Sequence, residues 1–158
     1  MKGTCVLSLV AILLFTVSCT QQSLQQSKTG LDAAIEQMPR PKDFELVATR
    51  SWTTSMTAGG QTCYYAEAYA VFGTSLPEKE ALVTYVEELK ALGWASEDTI
   101  QYAREQSLVR GTHEWAGVSY GGYGTWSVQD SAYAQALNTY PTVVLVRLRY
   151  ILPARDGC

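Results

Sequence analysis

The chain has 158 residues, 47% of them apolar and 17% charged, with 12 basic against 15 acidic side chains. That is enough apolar material for one domain with a real core. The net charge of −3 supplies no basic patch to neutralise phosphates, so nucleic-acid binding is disfavoured, and a mildly acidic surface gives no electrostatic reason to adhere to anionic lipid.

The N-terminus reads first. Lys2 is the sole charge in the first eighteen residues. An apolar run from Cys5 to Phe15 follows, and small residues precede Cys19. A basic start, a short apolar middle and a small-residue cleavage site describe a secretory signal peptide over residues 1–18. The apolar run is shorter than the ~20 residues a membrane-spanning helix needs. Removing it takes Lys2 away and leaves 11 basic against 15 acidic residues, a net charge of −4.

The segment Thr16-Val17-Ser18-Cys19 resembles the lipobox that closes the signal peptide of bacterial lipoproteins, with Thr16 standing where that family usually has Leu. The resemblance covers only this segment. It implies that Cys19 becomes the mature N-terminus and carries a diacylglyceryl thioether with palmitate-type chains. It implies anchorage to the cell membrane or outer membrane, facing away from the cytoplasm, and Thr20, not being Asp, leaves the outer membrane open. Two acyl chains suffice for stable anchorage where one is marginal. Ordinary signal cleavage is the alternative, because Thr16 and Ser18 are both small; it would release a soluble secreted protein.

Residues 19–42 read as the lipidated N-terminus and a polar tether. Leu31, Ala34, Ile35 and Met38 have helical spacing and predict a short helix within it, ended by Pro39-Arg40-Pro41. A flexible stretch of about 20 residues would span roughly 25 Å. A single domain is expected over residues 43–158.

Phe44–Trp52 predicts a strand, and Ala58-Gly59-Gly60-Gln61 a turn. Thr62–Phe72 predicts a second strand with Tyr64, Ala66, Ala68, Ala70 and Phe72 towards the core. Its other face carries Cys63, Tyr65, Glu67, Tyr69 and Val71. Ser75 and Glu78 fit a capping box, with Pro77 in the first turn. The helix they open shows a Leu82, Tyr85, Val86, Leu89, Leu92 stripe and a Gly93 stop. Residues 96–106 read equally as helix or as irregular chain, and the same holds for 130–138. Leu108–Arg110 and Glu114–Tyr120 predict strands turned at Gly111-Thr112. Thr142–Leu152 predicts the last strand, with Val143, Leu145, Arg147, Arg149 and Ile151 on one face. The expected fold class is α+β: an antiparallel sheet of four to five strands with one main helix packed on one face, ferredoxin-like being one option.

Four constellations invite a chemical reading. Cys63 and Cys158 form an even pair once Cys5 leaves with the signal and Cys19 is acylated, and antiparallel second and last strands would let them meet as a structural disulfide. Tyr65, Glu67 and Tyr69 share a face, and Arg147 and Arg149 occupy the equivalent face of the last strand; this is either the floor of a site for an acidic ligand or cross-strand pairing on a solvated face. The Gly-aromatic stretch Trp115–Trp126, with Tyr123 and Trp126, either stacks on sugar or peptide groups or packs around a turn. It lacks the Lys and helix opening of a phosphate-binding loop. His113 is the single histidine, without the second imidazole of a zinc protease or a G-x-S-x-G elbow. No catalytic set, metal set or cofactor motif is legible. The expectation is a membrane-anchored envelope lipoprotein, non-catalytic, acting as a binding or accessory module towards an envelope protein or cell-wall component. The alternative is a secreted small-ligand or carbohydrate-binding domain.

Overall fold

A computed structural model describes residues 25–58, 61–97, 104–112, 114–121 and 131–151. Alternating β-branched and aromatic residues build a sheet from β1 (Phe44–Ala58), β2 (Gln61–Thr74), β3 (Ala95–Ser96), β4 (Glu105–Arg110), β5 (Glu114–Tyr120) and β6 (Thr142–Ile151). The order is β1-β2-β6-β5-β4-β3, and every neighbouring pair is antiparallel. Three helices accompany it: α1 (residues 25–36), α2 (Glu78–Ala91) and α3 (Ser131–Thr139).

The α+β class is as expected, and the details differ. The sheet has six strands rather than four or five, because β3 is a two-residue edge too short to leave a pattern. The element order after α1, ββαβββαβ, is not the βαββαβ of a ferredoxin-like fold. Helices cover both faces of the sheet rather than one.

The inner face carries α1 and α2. Ala66, Ala68 and Ala70 of β2 are fully buried, and their small side chains let the helices approach closely. Tyr85 of α2 sits at the centre, its ring 5.6 Å from that of Phe44 and 4.9 Å from that of Phe72. Its hydroxyl donates to the Pro39 carbonyl at 3.1 Å, so the buried oxygen is satisfied. Burial pushes that phenol well above its ordinary pKa. Leu31, Ile35 and Met38 are buried in the same core. The packed unit therefore includes Leu31, Ile35 and Met38, inside the segment expected to be a tether and ahead of the expected start at 43.

The helix signals of α2 hold at its end and shift at its start. The N-cap is Pro77, with no side-chain cap bond from Ser75; proline's fixed backbone begins the helix at Glu78. Leu92 is 50% exposed and leaves the buried stripe, which Ala81 joins at the other end of the helix. At the far end Gly93 adopts φ 88°, and the Trp94 N–H reaches back to the Leu89 carbonyl at 3.3 Å. Trp94 is thereby folded into the core.

The outer face carries α3. Tyr133 and Ala136 pack on Tyr69, Val71, Val143 and Leu145. The ring of Tyr140 lies where a Cβ on Gly73 would stand, so only glycine fits there.

Candidate functional site

The register of β2 and β6 fixes the site. Glu67 faces Arg149 and Tyr69 faces Arg147, with all four side chains on the outer face. From β5, Trp115 faces Arg149 and Gly117 faces Arg147. From β1, Trp52 faces Glu67. The two-residue period of the strands thus gathers one acidic, two basic and four aromatic side chains on one patch.

The cross-strand pairing that one sequence reading allowed is present, but its acid is buried rather than solvated. Glu67 is 3% exposed. Its Oε1 accepts from Arg149 Nε at 2.6 Å and from Arg147 Nη2 at 2.7 Å. The Arg149 guanidinium lies 5.1 Å from the centre of the Tyr65 ring and 5.5 Å from that of Trp115. Two rings and one carboxylate hold a side chain that would otherwise carry much rotamer freedom. Trp115 bends over Gly117: a Cβ there would meet the indole Cη2 at 2.5 Å. Trp52 and Tyr69 make an edge-on contact at 5.7 Å.

The donors are only partly used. Arg149 spends Nε on Glu67, and neither of its terminal nitrogens has a hydrogen-bond partner among the described residues. Arg147 spends Nη2, and its Nε is buried without a partner among the described residues. The Arg147 and Arg149 side chains remain 26% and 32% exposed. Glu105 stands on the Arg147 side; burial raises its carboxyl pKa and the nearby Arg147 opposes that rise. One carboxylate that accepts from both guanidiniums through a single oxygen, and a second one raised in pKa by burial, leave the patch with spare hydrogen-bond donors.

Of the residues singled out from sequence, Tyr65, Glu67, Tyr69, Arg147 and Arg149 are brought together. Trp115, which sequence reading placed in the Gly-aromatic stretch, and Trp52, which it did not single out, belong to the same patch; the signal is their outward parity in β5 and β1, legible only once strand register is known. Tyr123, Trp126, His113, Cys19 and Cys158 lie outside the described residues. Cys63 is disulfide-bonded, and the cysteine it joins is also outside them.

Two further clefts flank α1. One, about 410 Å³, lies between Asp32, Ile35 and Glu36 and the Thr49–Ser51 stretch of β1. The other, about 420 Å³, lies between α1 and Arg110, Glu114 and Tyr150. Neither is lined by Glu67, Arg147 or Arg149. Among the described residues there is no cluster of three metal-ligating side chains, and no helix is long and apolar enough to cross a membrane. Comparison of the chain with family models, curated proteins and solved structures finds no match.

Proposed function

We propose that this protein is an envelope lipoprotein, acylated at Cys19 and facing away from the cytoplasm, that works without catalysis as a binding or accessory module. Its contact surface is the outer-face patch of Tyr65, Glu67, Arg147, Arg149 and Trp115, and its partner is an envelope protein or a cell-wall component. The observation that carries the binding reading is the Arg149 guanidinium, held by Glu67 and two aromatic rings with its terminal nitrogens unspent among the described residues. A fixed fork of donors beside rings is built for recognition at low entropic cost. Among the described residues, α3 covers the apolar part of the same face around Tyr69, Val71, Val143 and Leu145. This favours a compact ligand, such as a cell-wall fragment, within the same reading.

Gln25 already lies within α1, six peptide steps from Cys19, a reach of at most about 20 Å. An acylated protein is therefore held close to the headgroups. The disulfide of Cys63 is assigned to Cys158 within this reading, since acylation removes Cys19 from the thiols.

Two measurements test the proposal. Intact mass of the membrane-extracted protein is expected to show loss of residues 1–18 and a diacylglyceryl group; an unmodified Cys19 sinks the anchor. Co-sedimentation with purified cell envelope is expected for the wild-type domain and is expected to fall severalfold for Trp115→Ala and Arg149→Ala. Sedimentation indifferent to both substitutions would remove the outer face from the function.

A further inference from the structure

We infer that Arg147 and Arg149 form a carboxylate-binding site on the outer face; this rests on the reading of that face as the contact surface and names the chemistry it takes. Three observations converge. First, both guanidiniums share a single oxygen, Glu67 Oε1, at 2.7 and 2.6 Å. Sharing brings two like-charged groups together around one anion and leaves a net positive pair. A second anion placed between them relieves that repulsion.

Second, the unspent donors have the pattern of a carboxylate. Arg149 is fixed through Nε, which leaves its two terminal nitrogens as an open fork. Planar guanidinium and planar carboxylate match in bidentate geometry, and such charge-assisted bonds are about twice as strong as neutral ones. Arg147 Nε is buried and unbonded among the described residues, an orphan donor of the kind folded proteins rarely keep. An acceptor entering beside Arg149 allows the Arg147 head to turn and complete both networks.

Third, the second carboxylate beside Arg147 does not fill the place. Glu105 is close enough to Arg147 for attraction, yet makes no hydrogen bond to it among the described residues, and burial raises its pKa. The walls are aromatic: Tyr65 and Trp115 flank Arg149, and Trp52 lies across from Glu67. Rings at the rim suit a carboxylate borne on a sugar ring or on a small peptide terminus rather than a bare inorganic anion.

The test is titration of the mature domain followed by ¹⁵N NMR of the arginine Nε–H groups. Glucuronate serves as the sugar acid and acetyl-alanyl-alanine as the peptide acid, each against its own methyl ester. At least one acid is expected to shift the Arg147 and Arg149 signals saturably, with its ester about tenfold weaker or inert. The acid that binds identifies the source. Arg149→Lys keeps the charge and loses the fork; it is expected to weaken that acid about tenfold with the thermal midpoint little changed. Equal binding of acid and ester, or no saturable shift with either acid, overturns the inference. In that event envelope sedimentation still sensitive to Trp115→Ala would leave the contact surface standing with a neutral ligand, whereas insensitive sedimentation would overturn both.

Discussion

Glu67 and Arg149 stand opposite one another on β2 and β6 and are joined at 2.6 Å, yet only Glu67 is buried: its side chain is 4% exposed and that of Arg149 32%. The asymmetry predicts unequal mutational costs. Removing the carboxylate leaves two guanidiniums facing each other without their shared acceptor. Removing one arginine leaves Glu67 with the other. Glu67→Gln is expected to cost about 1–3 kcal/mol, below the roughly 3–5 kcal/mol typical of a wholly buried pair because both arginines keep some water. Arg149→Met is expected to cost less. Urea unfolding of the two single variants and the double variant checks this, and a coupling energy near zero would show that the pairing contributes nothing.

The second prediction concerns how α3 is seated. Tyr140 fills the space above Gly73 on the outer face. Gly73→Ala puts a methyl group into the ring and forces Tyr140, and the end of α3 with it, off the sheet. Overpacking of this sort costs roughly 1–3 kcal/mol. Tyr140→Ala vacates the site, so Gly73→Ala is expected to cost much less in that background. Thermal unfolding of the four proteins in the cycle reads the rescue directly, and additive losses would mean that the ring does not sit on Gly73.

A third prediction separates a packed helix from a tether. Ile35 is 5% exposed and Leu31 6%, both in the cluster that contains Tyr85 and Leu108. Ile35→Ala is expected to destabilise the domain by about 2–4 kcal/mol, the range for truncating a buried aliphatic side chain. Chemical denaturation measures it. A loss below about 0.5 kcal/mol, the size of most surface substitutions, would return residues 25–36 to the tether.

That helix also marks how far the sequence can be read. Strand period is legible wherever the two faces differ in chemistry: Ala66, Ala68 and Ala70 against Tyr65, Glu67 and Tyr69 predict which side meets a helix, and the same parity in β6 sets Arg147 and Arg149 beside Glu67. The α2 stop at Gly93 is legible because a left-handed residue there has few substitutes. α1 is only half legible. Its inward positions have the right spacing, but its Gln- and Ser-rich remainder reads as solvated chain, and docking on the sheet comes from tertiary burial that no local pattern encodes. Beyond the pairing of the second and last strands, strand order is not legible, so the placing of Trp115 and Trp52 beside Arg149 and Glu67 cannot be foreseen: both depend on which strands lie side by side.

The last prediction uses acid–base linkage at the edge of the candidate site. Burial raises the Glu105 carboxyl above its ordinary value of 4.5, and Arg147 only partly offsets this. A carboxyl whose folded pKa is raised favours the protonated fold. Its ionisation therefore costs stability, beginning as pH rises through the unfolded value and complete above the folded one. Below that window the wild-type protein and its Glu105→Gln variant should be about equally stable; above it, the variant should be the more stable of the two. Comparing them by urea unfolding at about pH 4 and about pH 7 isolates the effect, because every other titrating group is common to both. Asp32 does not confuse the reading: the Ser51 hydrogen bond, aided by Lys28, lowers its pKa from 3.8, so its contribution is present above that value and fades only as pH falls through the lowered one. A stability gap between the two proteins that stays constant across that range would mean that Glu105 is solvated. It would then be available to Arg147 as an internal acceptor, and the case for an external carboxylate at the arginine pair would weaken with it.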